Sequence, residues 1–200
     1  KDQQRFALIP NLFVKNFDRA LNIGIGTGCT LNVISMFPYK EIDAVELAPD
    51  IIYAASNYFT DINSNVFDKP NVNVHIADGR NFLNLNSNKR LYDLVSIELT
   101  SIWFAGAGNL YNDEFYKIVT NNLHPEGIVQ QWIQLHHITT KDIAVILKTV
   151  RKHFKYVQLW VPGHQGIVVA SNSPLQLNKK SIKITNKMIQ PDNFLFQEFY

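Results

Sequence analysis

The stretch LNIGIGTGCTLNVI, residues 21–34, decides how the rest of the chain is interpreted. An apolar run leads into three glycines at alternate positions, Gly24, Gly26 and Gly28, and a helical pattern follows. Glycines after a strand let the backbone turn sharply and approach a ligand closely, while a helix start offers N–H groups without partners in the helix. The stretch therefore predicts a nucleotide-binding turn between a strand and a helix.

The spacing of the glycines narrows the choice of nucleotide. A dinucleotide fingerprint has the form G-x-G-x-x-G/A, so Cys29 would have to serve as its third small residue. A phosphate-binding P-loop needs Gly-Lys-Ser/Thr, and no lysine occurs in this turn. The pattern therefore favours a nucleoside without phosphates, although glycines at strand ends also occur for packing reasons alone.

Apolar runs and helical patterns alternate along the chain. Strands are predicted at residues 20–25, 42–47, 72–77, 92–98, 128–134, 156–161 and 166–171, and helices at 29–37, 49–59, 112–122 and 140–153. This alternation indicates an α/β fold, with crossover connections and a parallel sheet that carries helices on both faces. Only PGHQ, residues 162–165, separates the last two strands, which predicts a C-terminal antiparallel hairpin.

The composition sets limits on the class of protein. With 46% hydrophobic and 18% charged residues, the 200-residue chain is typical of a globular domain. The net charge of +2, without a basic stripe, argues against nucleic-acid binding. A single cysteine, Cys29, excludes a disulfide framework and fits a reducing, cytoplasmic compartment. No apolar run approaches the roughly 20 residues of a membrane span, so we expect no membrane contact by this part of the protein.

Two acidic residues follow the second and third predicted strands. Glu46 lies about 20 residues beyond the glycine turn, where an acid commonly binds a ribose hydroxyl. Asp78 could accept a hydrogen bond from the exocyclic amine of adenine. Taken singly, Glu46 could be a solvated carboxylate and Asp78 part of an Asp-Gly turn. Together with the glycines they converge on the edge where open α/β sheets bind ligands.

The segment from residue 92 to 116 carries the candidate chemistry. Glu98 should emerge at the same edge, where a carboxylate could act as a general base or hold a cationic substrate. Trp103 and Tyr111, in a long connection, would add apolar or cation–π walls, although they could also be core residues. Asp93 is expected to stabilise a turn or a cap.

Five motifs, taken together, resemble the spermidine synthases, the polyamine aminopropyltransferases. They are NIGIGTGCT (22–30), DAVELAPDIIYAA (43–55), ADGRNFL (77–83), YDLVSIELTSIWFAGAGNLYNDEFY (92–116) and PEGIVQQWIQL (125–135). The resemblance covers about residues 2 to 171, and it is strongest to the bacterial spermidine synthase-like branch. It implies a Rossmann-like class I methyltransferase fold with a seven-stranded, mostly parallel sheet.

The resemblance also implies roles for particular residues. Decarboxylated S-adenosylmethionine would lie against Gly24, Gly26 and Gly28, with Glu46 on the ribose and Asp78 and Gly79 on the adenine. Glu98 would match the catalytic aspartate and help take a proton from a substrate amine such as putrescine, which attacks beside the sulfonium and releases methylthioadenosine. The resemblance assigns Trp103, Tyr111 and Gln131 to the substrate pocket, and the chemistry needs no metal.

Three features depart from the family pattern. Ser101 stands where a second acid is common, which weakens the case for a dicationic substrate. The N-terminal β-hairpin domain that caps the amine site in most members is expected to be absent. A Tyr-His pair is not evident before the glycine strand, where Gln3 or Gln4 could face the ligand instead.

These departures leave alternatives open. One is a methyltransferase that uses ordinary S-adenosylmethionine, and another is a catalytically silent nucleoside-binding or assembly domain. We expect a catalytic domain over residues 1–173, a tail over 174–200 and, as one possibility, a homodimer. Because the chain begins with Lys1, it is expected to be cut from a longer protein, which could be membrane-tethered. Cys29 is predicted to be a buried filler, and His136 and His137 are predicted to be satisfied or to face solvent.

Overall fold

A seven-stranded sheet forms the centre of the molecule, whose computed structural model describes residues 2–86, 90–99, 106–163 and 165–189. The strand order is β3-β2-β1-β4-β5-β7-β6. Neighbours among the first five strands are parallel, while β7 runs antiparallel to both β5 and β6. The strands are β1 (Arg19–Ile23), β2 (Glu41–Glu46), β3 (Val72–Ile76), β4 (Tyr92–Ile97), β5 (Leu123–Gln134), β6 (Tyr156–Trp160) and β7 (Gln165–Ser171). The predicted α/β fold and its terminal antiparallel hairpin are confirmed.

Helices cover both faces of this sheet. They are α1 (Asp2–Asn11), α2 (Cys29–Ser35), α3 (Pro49–Tyr58), α4 (Thr60–Asn63), α5 (Gly79–Asn84), α6 (Asp113–Asn121), α7 (Thr140–Arg151) and α8 (Lys179–Met188). The start of α7 illustrates how the sequence sets a boundary, because Thr139 and Asp142 form a reciprocal capping box there. Among the described helices, none has both the length and the apolar character needed to cross a bilayer.

The alternation of side chains along each strand builds a separate core on each face of the sheet. Ala20 and Leu94 point into the core beneath α1, α2 and α8, while their neighbours Leu21 and Val95 point into the core beneath α5, α6 and α7. All four side chains are fully buried. Buried strands with apolar residues on both faces are what a central parallel sheet requires.

Helix α1 was not among the predicted elements. Its residues Phe6, Ala7 and Leu8 are buried one after another, so the segment lacks the one-sided periodicity of a surface helix. The helix packs against α2 and the sheet, and Phe6 makes an edge contact with Trp132 at a centroid distance of 5.2 Å. This packing places the first turn of α1 near the carboxyl end of the strands.

Two other elements extend beyond the prediction. β5 begins at Leu123 because that residue pairs with Tyr92 before a register shift, five residues ahead of the predicted start. α8 docks onto the domain through Asn178, whose main-chain N–H donates to Leu12 O at 2.7 Å and whose side-chain amide donates to Val14 O at 2.6 Å. Residues 174–189 therefore pack on the domain, and the division at residue 173 stays a prediction.

A buried ion network fastens the sheet near the amino ends of its strands. Asp43 Oδ2 accepts from Arg19 Nη2 at 2.6 Å and from the Tyr92 hydroxyl at 2.8 Å, while His75 Nε2 lies 2.9 Å from Asp43 Oδ1. Asp93 accepts from the main-chain N–H groups of Asp18 and Arg19, which confirms its expected capping role. Together these side chains link the four strands β1, β2, β3 and β4.

Removal of the Asp43 carboxylate should therefore be costly. We expect Asp43→Ala to lower the free energy of unfolding by about 2 kcal/mol or more, because it removes the 2.6 Å partner of the largely buried Arg19 guanidinium, leaving the longer ion pair to Glu41 at 3.3 Å, and also removes the acceptor of the buried Tyr92 hydroxyl. Urea unfolding followed by circular dichroism measures the change. The control is Asp68→Ala at an exposed site, which should change stability by less than about 0.5 kcal/mol. Equal losses in both variants would contradict the role given to the network.

Candidate functional site

The glycine turn and the end of β4 meet at the carboxyl edge of the sheet. The main-chain N–H of Glu98 donates to Ile23 O at 2.8 Å, which brings the residue after β4 beside the residue after β1. A Cβ atom on Gly24 would lie only 2.2 Å from the carbonyl oxygen of Glu98, and Gly24 has φ of +85°. Only glycine satisfies both constraints, so Gly24 is required for β1 and the Glu98 segment to approach this closely.

The middle of the turn is open towards α1. At Gly26, with φ of +54°, the one atom of the described residues that lies within 4 Å of a hypothetical Cβ is Gln3 Nε2, at 3.9 Å. Gly28 is more crowded, since a Cβ there would lie 3.0 Å from Asn63 Cβ. The three glycines predicted to bind cofactor thus lie in one turn, where the described part of the chain crowds Gly24 and Gly28 and leaves space above Gly26.

Glu46 fastens the end of β2 to the glycine turn. Its Oε2 accepts from the Ile25 N–H at 3.0 Å, and its Oε1 accepts from the Ala48 N–H at 3.1 Å. A carboxylate oxygen can accept more than one hydrogen bond, so each oxygen retains capacity for a ribose hydroxyl. The structure brings Glu46 to the turn as expected, while its role on a ribose stays a prediction.

Asp78 and Gly79 begin α5 at the end of β3. Asp78 caps this helix through Oδ1, which accepts from the Asn81 N–H at 2.8 Å. Gly79 is buried against β1, where an added Cβ would lie 2.4 Å from Ile23 Cγ2. Asp78 therefore caps a helix, where the sequence left open an Asp-Gly turn, and the cap uses one of its two carboxylate oxygens. Its contact with adenine stays a prediction.

Glu98 is the buried acid of the site, with 7% of its surface exposed. Its Oε1 accepts from Gln3 Nε2 at 2.7 Å, whereas its Oε2 is buried and has no hydrogen-bond partner among the described residues. Burial raises the pKa of this carboxyl to about 7, against opposing contributions from the Thr30 hydroxyl and the Gln3 amide. An acid with a pKa near neutrality, and one oxygen left without a partner, has the properties of a general base.

Cys29 lies next to this acid but is not suited to nucleophilic chemistry. The thiol is buried, and burial followed by the charge of Glu98 raises its pKa to about 11. A thiol with so high a pKa is protonated at neutral pH and is a poor nucleophile. The prediction of a buried filler is confirmed.

The predicted substrate-binding residues differ in their surroundings. The Tyr111 hydroxyl donates to Trp132 O at 2.8 Å, and burial raises the pKa of this phenol. Gln131 is buried, donates to Leu110 O at 2.8 Å and accepts from the Tyr116 hydroxyl. The polar groups of both residues thus tie the segment before α6 to β5, and their contact with a substrate stays a prediction. Trp103 lies outside the described residues.

Gln3 is the site residue whose importance the sequence left undecided. The structure distinguishes Gln3 from Gln4: the side chain of Gln3 hydrogen-bonds to Glu98, whereas Gln4 is buried within α1. Recognition of α1 as a helix would have been needed to make this distinction. His136 and His137 are both exposed, as expected for a solvent-facing pair. Within the described ranges, no group of three or more His, Cys, Asp or Glu side chains is arranged to hold a metal ion.

The buried state of Glu98 has a consequence for stability. Its pKa is raised from the ordinary value of 4.5 to about 7 on folding, so the folded protein holds this proton more tightly than the unfolded chain. The contribution of this raised pKa to the free energy of unfolding is therefore complete below pH 4.5 and is lost as the pH rises through 7.

Glu98→Gln removes this titration. Between pH 4 and pH 8, the stability of the variant relative to the wild type should increase by on the order of 3 kcal/mol, the upper bound set by the pKa change. Urea unfolding of both proteins at several pH values measures this difference. A difference that is constant with pH would contradict the buried state of the acid.

Known proteins with similar sequences support the family resemblance that the sequence motifs indicate. Residues 3–185 match the sequence model of a protein family described as the spermine/spermidine synthase domain. Polyamine aminopropyltransferase 2 from Aquifex aeolicus (strain VF5) is 27% identical over 194 residues. These residues cover 94% of this chain but only 39% of the relative, so the chain spans well under half of that protein.

Two solved structures are similar to the fold. A crystal structure of spermidine synthase in complex with the transition state analogue AdoDATO has a TM-score of 0.81 and 19% identity, covering 91% of this chain and 65% of that one. Human methyltransferase-like protein 13 in complex with SAH has a TM-score of 0.71 and 21% identity, covering 98% and 96%. At these identities the structures show the shared fold, and the match over residues 3–185 shows that this chain belongs to the spermine/spermidine synthase family.

Proposed function

We propose that this chain carries the active site of an aminopropyltransferase, which transfers an aminopropyl group from decarboxylated S-adenosylmethionine to an amine. The observation that carries the proposal is the buried Glu98 beside the glycine turn, with Oε2 left without a hydrogen-bond partner by the residues that the structure describes. A relative named polyamine aminopropyltransferase and a spermidine synthase solved with AdoDATO give it further support.

The residues of the edge suit a nucleoside with a sulfonium tail. The space above Gly26 would take the tail, Glu46 would hold the ribose hydroxyls, and Asp78 with Gly79 would hold the adenine ring. Glu98 would then face the reactive end. The sulfonium supplies an activated leaving group, so the protein has to position the reactants and accept a proton.

The chemical step assigns one role to Glu98. As the amine nitrogen forms its bond to the carbon beside sulfur, the carbon–sulfur bond breaks and its electrons stay with sulfur, which leaves as the neutral thioether of methylthioadenosine. The amine proton passes to Oε2 of Glu98. A base with a pKa of about 7 is about half ionised at neutral pH and accepts a proton readily.

A methyltransferase is the second candidate, because the human methyltransferase-like protein shares the fold over nearly its entire length. The electrostatics favour the decarboxylated co-substrate. Glu46 bonds to the glycine turn and Glu98 lies beside it, so the carboxylate of ordinary S-adenosylmethionine would add a third negative charge close to two others. Like charges at short distance in a poorly solvated site repel strongly.

The test is incubation with decarboxylated S-adenosylmethionine and a panel of amines that carry one, two or three nitrogens. We expect methylthioadenosine by mass spectrometry in the wild type, and a decrease of about 100-fold or more for Glu98→Gln, because the variant has no general base. Asp68→Ala is a matched control that should retain activity. Methyl transfer from ordinary S-adenosylmethionine would support the second candidate, and unchanged turnover in Glu98→Gln would contradict the role of Glu98.

A further inference from the structure

The first turn of α1 spans the gap between the catalytic acid and the glycine turn. Gln3 contacts both partners through its side chain: Nε2 donates to Glu98 Oε1 at 2.7 Å, and Oε1 accepts from the Thr27 hydroxyl at 3.3 Å. The main chain of the same residue is held as well, because its carbonyl accepts from the Thr30 hydroxyl at 3.4 Å. Gln3 is thus anchored at three points around one acid.

This pattern of hydrogen bonds defines which way the Gln3 amide faces. An ionised carboxylate accepts hydrogen bonds and donates none, so the NH2 group of Gln3 must be the end that faces Glu98. The opposite end is the carbonyl, which receives the hydroxyl of Thr27. The NH2 end of the amide therefore faces a hydrogen-bond acceptor, and the carbonyl end faces a hydrogen-bond donor.

The same arrangement makes the two oxygens of Glu98 unequal. Oε1 is occupied by Gln3, whereas Oε2 is buried and unpartnered. A buried carboxylate oxygen without a partner is energetically costly, and such an atom in a native site calls for an explanation. An amine that binds next to Glu98 would supply the missing donor.

We propose that Gln3 is a positioning residue, whose amide holds the Glu98 carboxylate so that Oε2 alone is presented to the substrate amine. This inference rests on the proposed function for its consequence in catalysis, but the orientation of Glu98 can be measured without turnover. Gln3 would act through Glu98 and would have no part in the proton transfer itself.

Charged and titratable groups on the elements that form the site limit what the test can show. Asp2 and Arg5 on α1 pair with each other at 3.8 Å, and Glu46 is bonded to the turn. Cys29 on α2 and Tyr111 ahead of α6 have pKa values raised by burial, so both stay neutral near pH 7. Besides these groups, the Gln3 amide donates to the carboxylate at 2.7 Å, and the Thr30 hydroxyl also lowers the pKa of Glu98 by hydrogen bonding.

The test uses Gln3→Met, which keeps the length of the side chain but cannot donate a hydrogen bond. Carbon-13 NMR of the Glu98 carboxyl, assigned with Glu98→Gln, reports the pKa in the free protein. Loss of a hydrogen bond to the charged form should raise this pKa by about one pH unit. Ile9→Met places the same new side chain two turns further along α1 and should leave the pKa unchanged.

Kinetics give a second, independent readout. At pH 7 we expect Gln3→Met to lower kcat about fivefold, because the ionised fraction of Glu98 falls, with little change in KM for the amine, and the deficit should shrink as the pH rises to 9. A structural role alone would lower activity equally at all pH values. Gln3→Asn retains an amide that is too short to reach Glu98, so it should behave like Gln3→Met and covers the case in which the methionine variant fails to fold.

The outcomes separate this inference from the proposed function. An unchanged Glu98 pKa in a folded Gln3→Met or Gln3→Asn variant overturns the positioning role, whatever the activity. An increased pKa together with a wild type that produces no methylthioadenosine from any amine supports the positioning of Glu98 and overturns the proposed function. An increased pKa with a pH-dependent loss of kcat supports both.

Discussion

The close approach of Gly24 to the main chain of Glu98 is the contact on which the site depends. It exists because β1 and β4 are neighbours in the sheet and because Gly24 has no side chain to collide with the Glu98 carbonyl. From this contact the glycine turn extends to one side and the acid to the other. A nucleoside held by the turn would therefore have its reactive end next to the carboxylate, without any movement of the sheet.

Burial of Glu98 is unfavourable for folding at neutral pH and favourable for proton transfer. The packing of α1 and α2 excludes water from the carboxyl, and this raises its pKa towards the range in which a base works best. Elsewhere in the sheet, the bonds of Asp43 to Arg19, Tyr92 and His75 stabilise the same strands. The fold thus places its strong polar contacts near the amino ends of the strands and leaves an incompletely bonded acid at the carboxyl end.

Much of this architecture was predictable from local sequence. The central strands β1, β4 and β5 are predictable because their apolar runs are buried on both faces, and α7 is predictable because its apolar spacing and its Thr139 cap are local signals. Helix α1 is not predictable in this way, because it is buried on several sides and its apolar residues therefore do not recur with the spacing of a helix. The link between Gln3 and Glu98 joins residues 95 positions apart, so it depends on tertiary packing that no local pattern encodes. Trp103 and Ser101 lie outside the described residues, and their predicted roles stay predictions.

The central claim is that Glu98, with its raised pKa, is the base that accepts the amine proton. The pH dependence of kcat at saturating decarboxylated S-adenosylmethionine and amine tests it most directly. We expect an ascending limb with a midpoint near pH 7 in the wild type, reflecting the ionisation of Glu98, and its loss in Glu98→Gln. A kcat that is constant from pH 5 to pH 9, or a limb that persists unchanged in the variant, would contradict it.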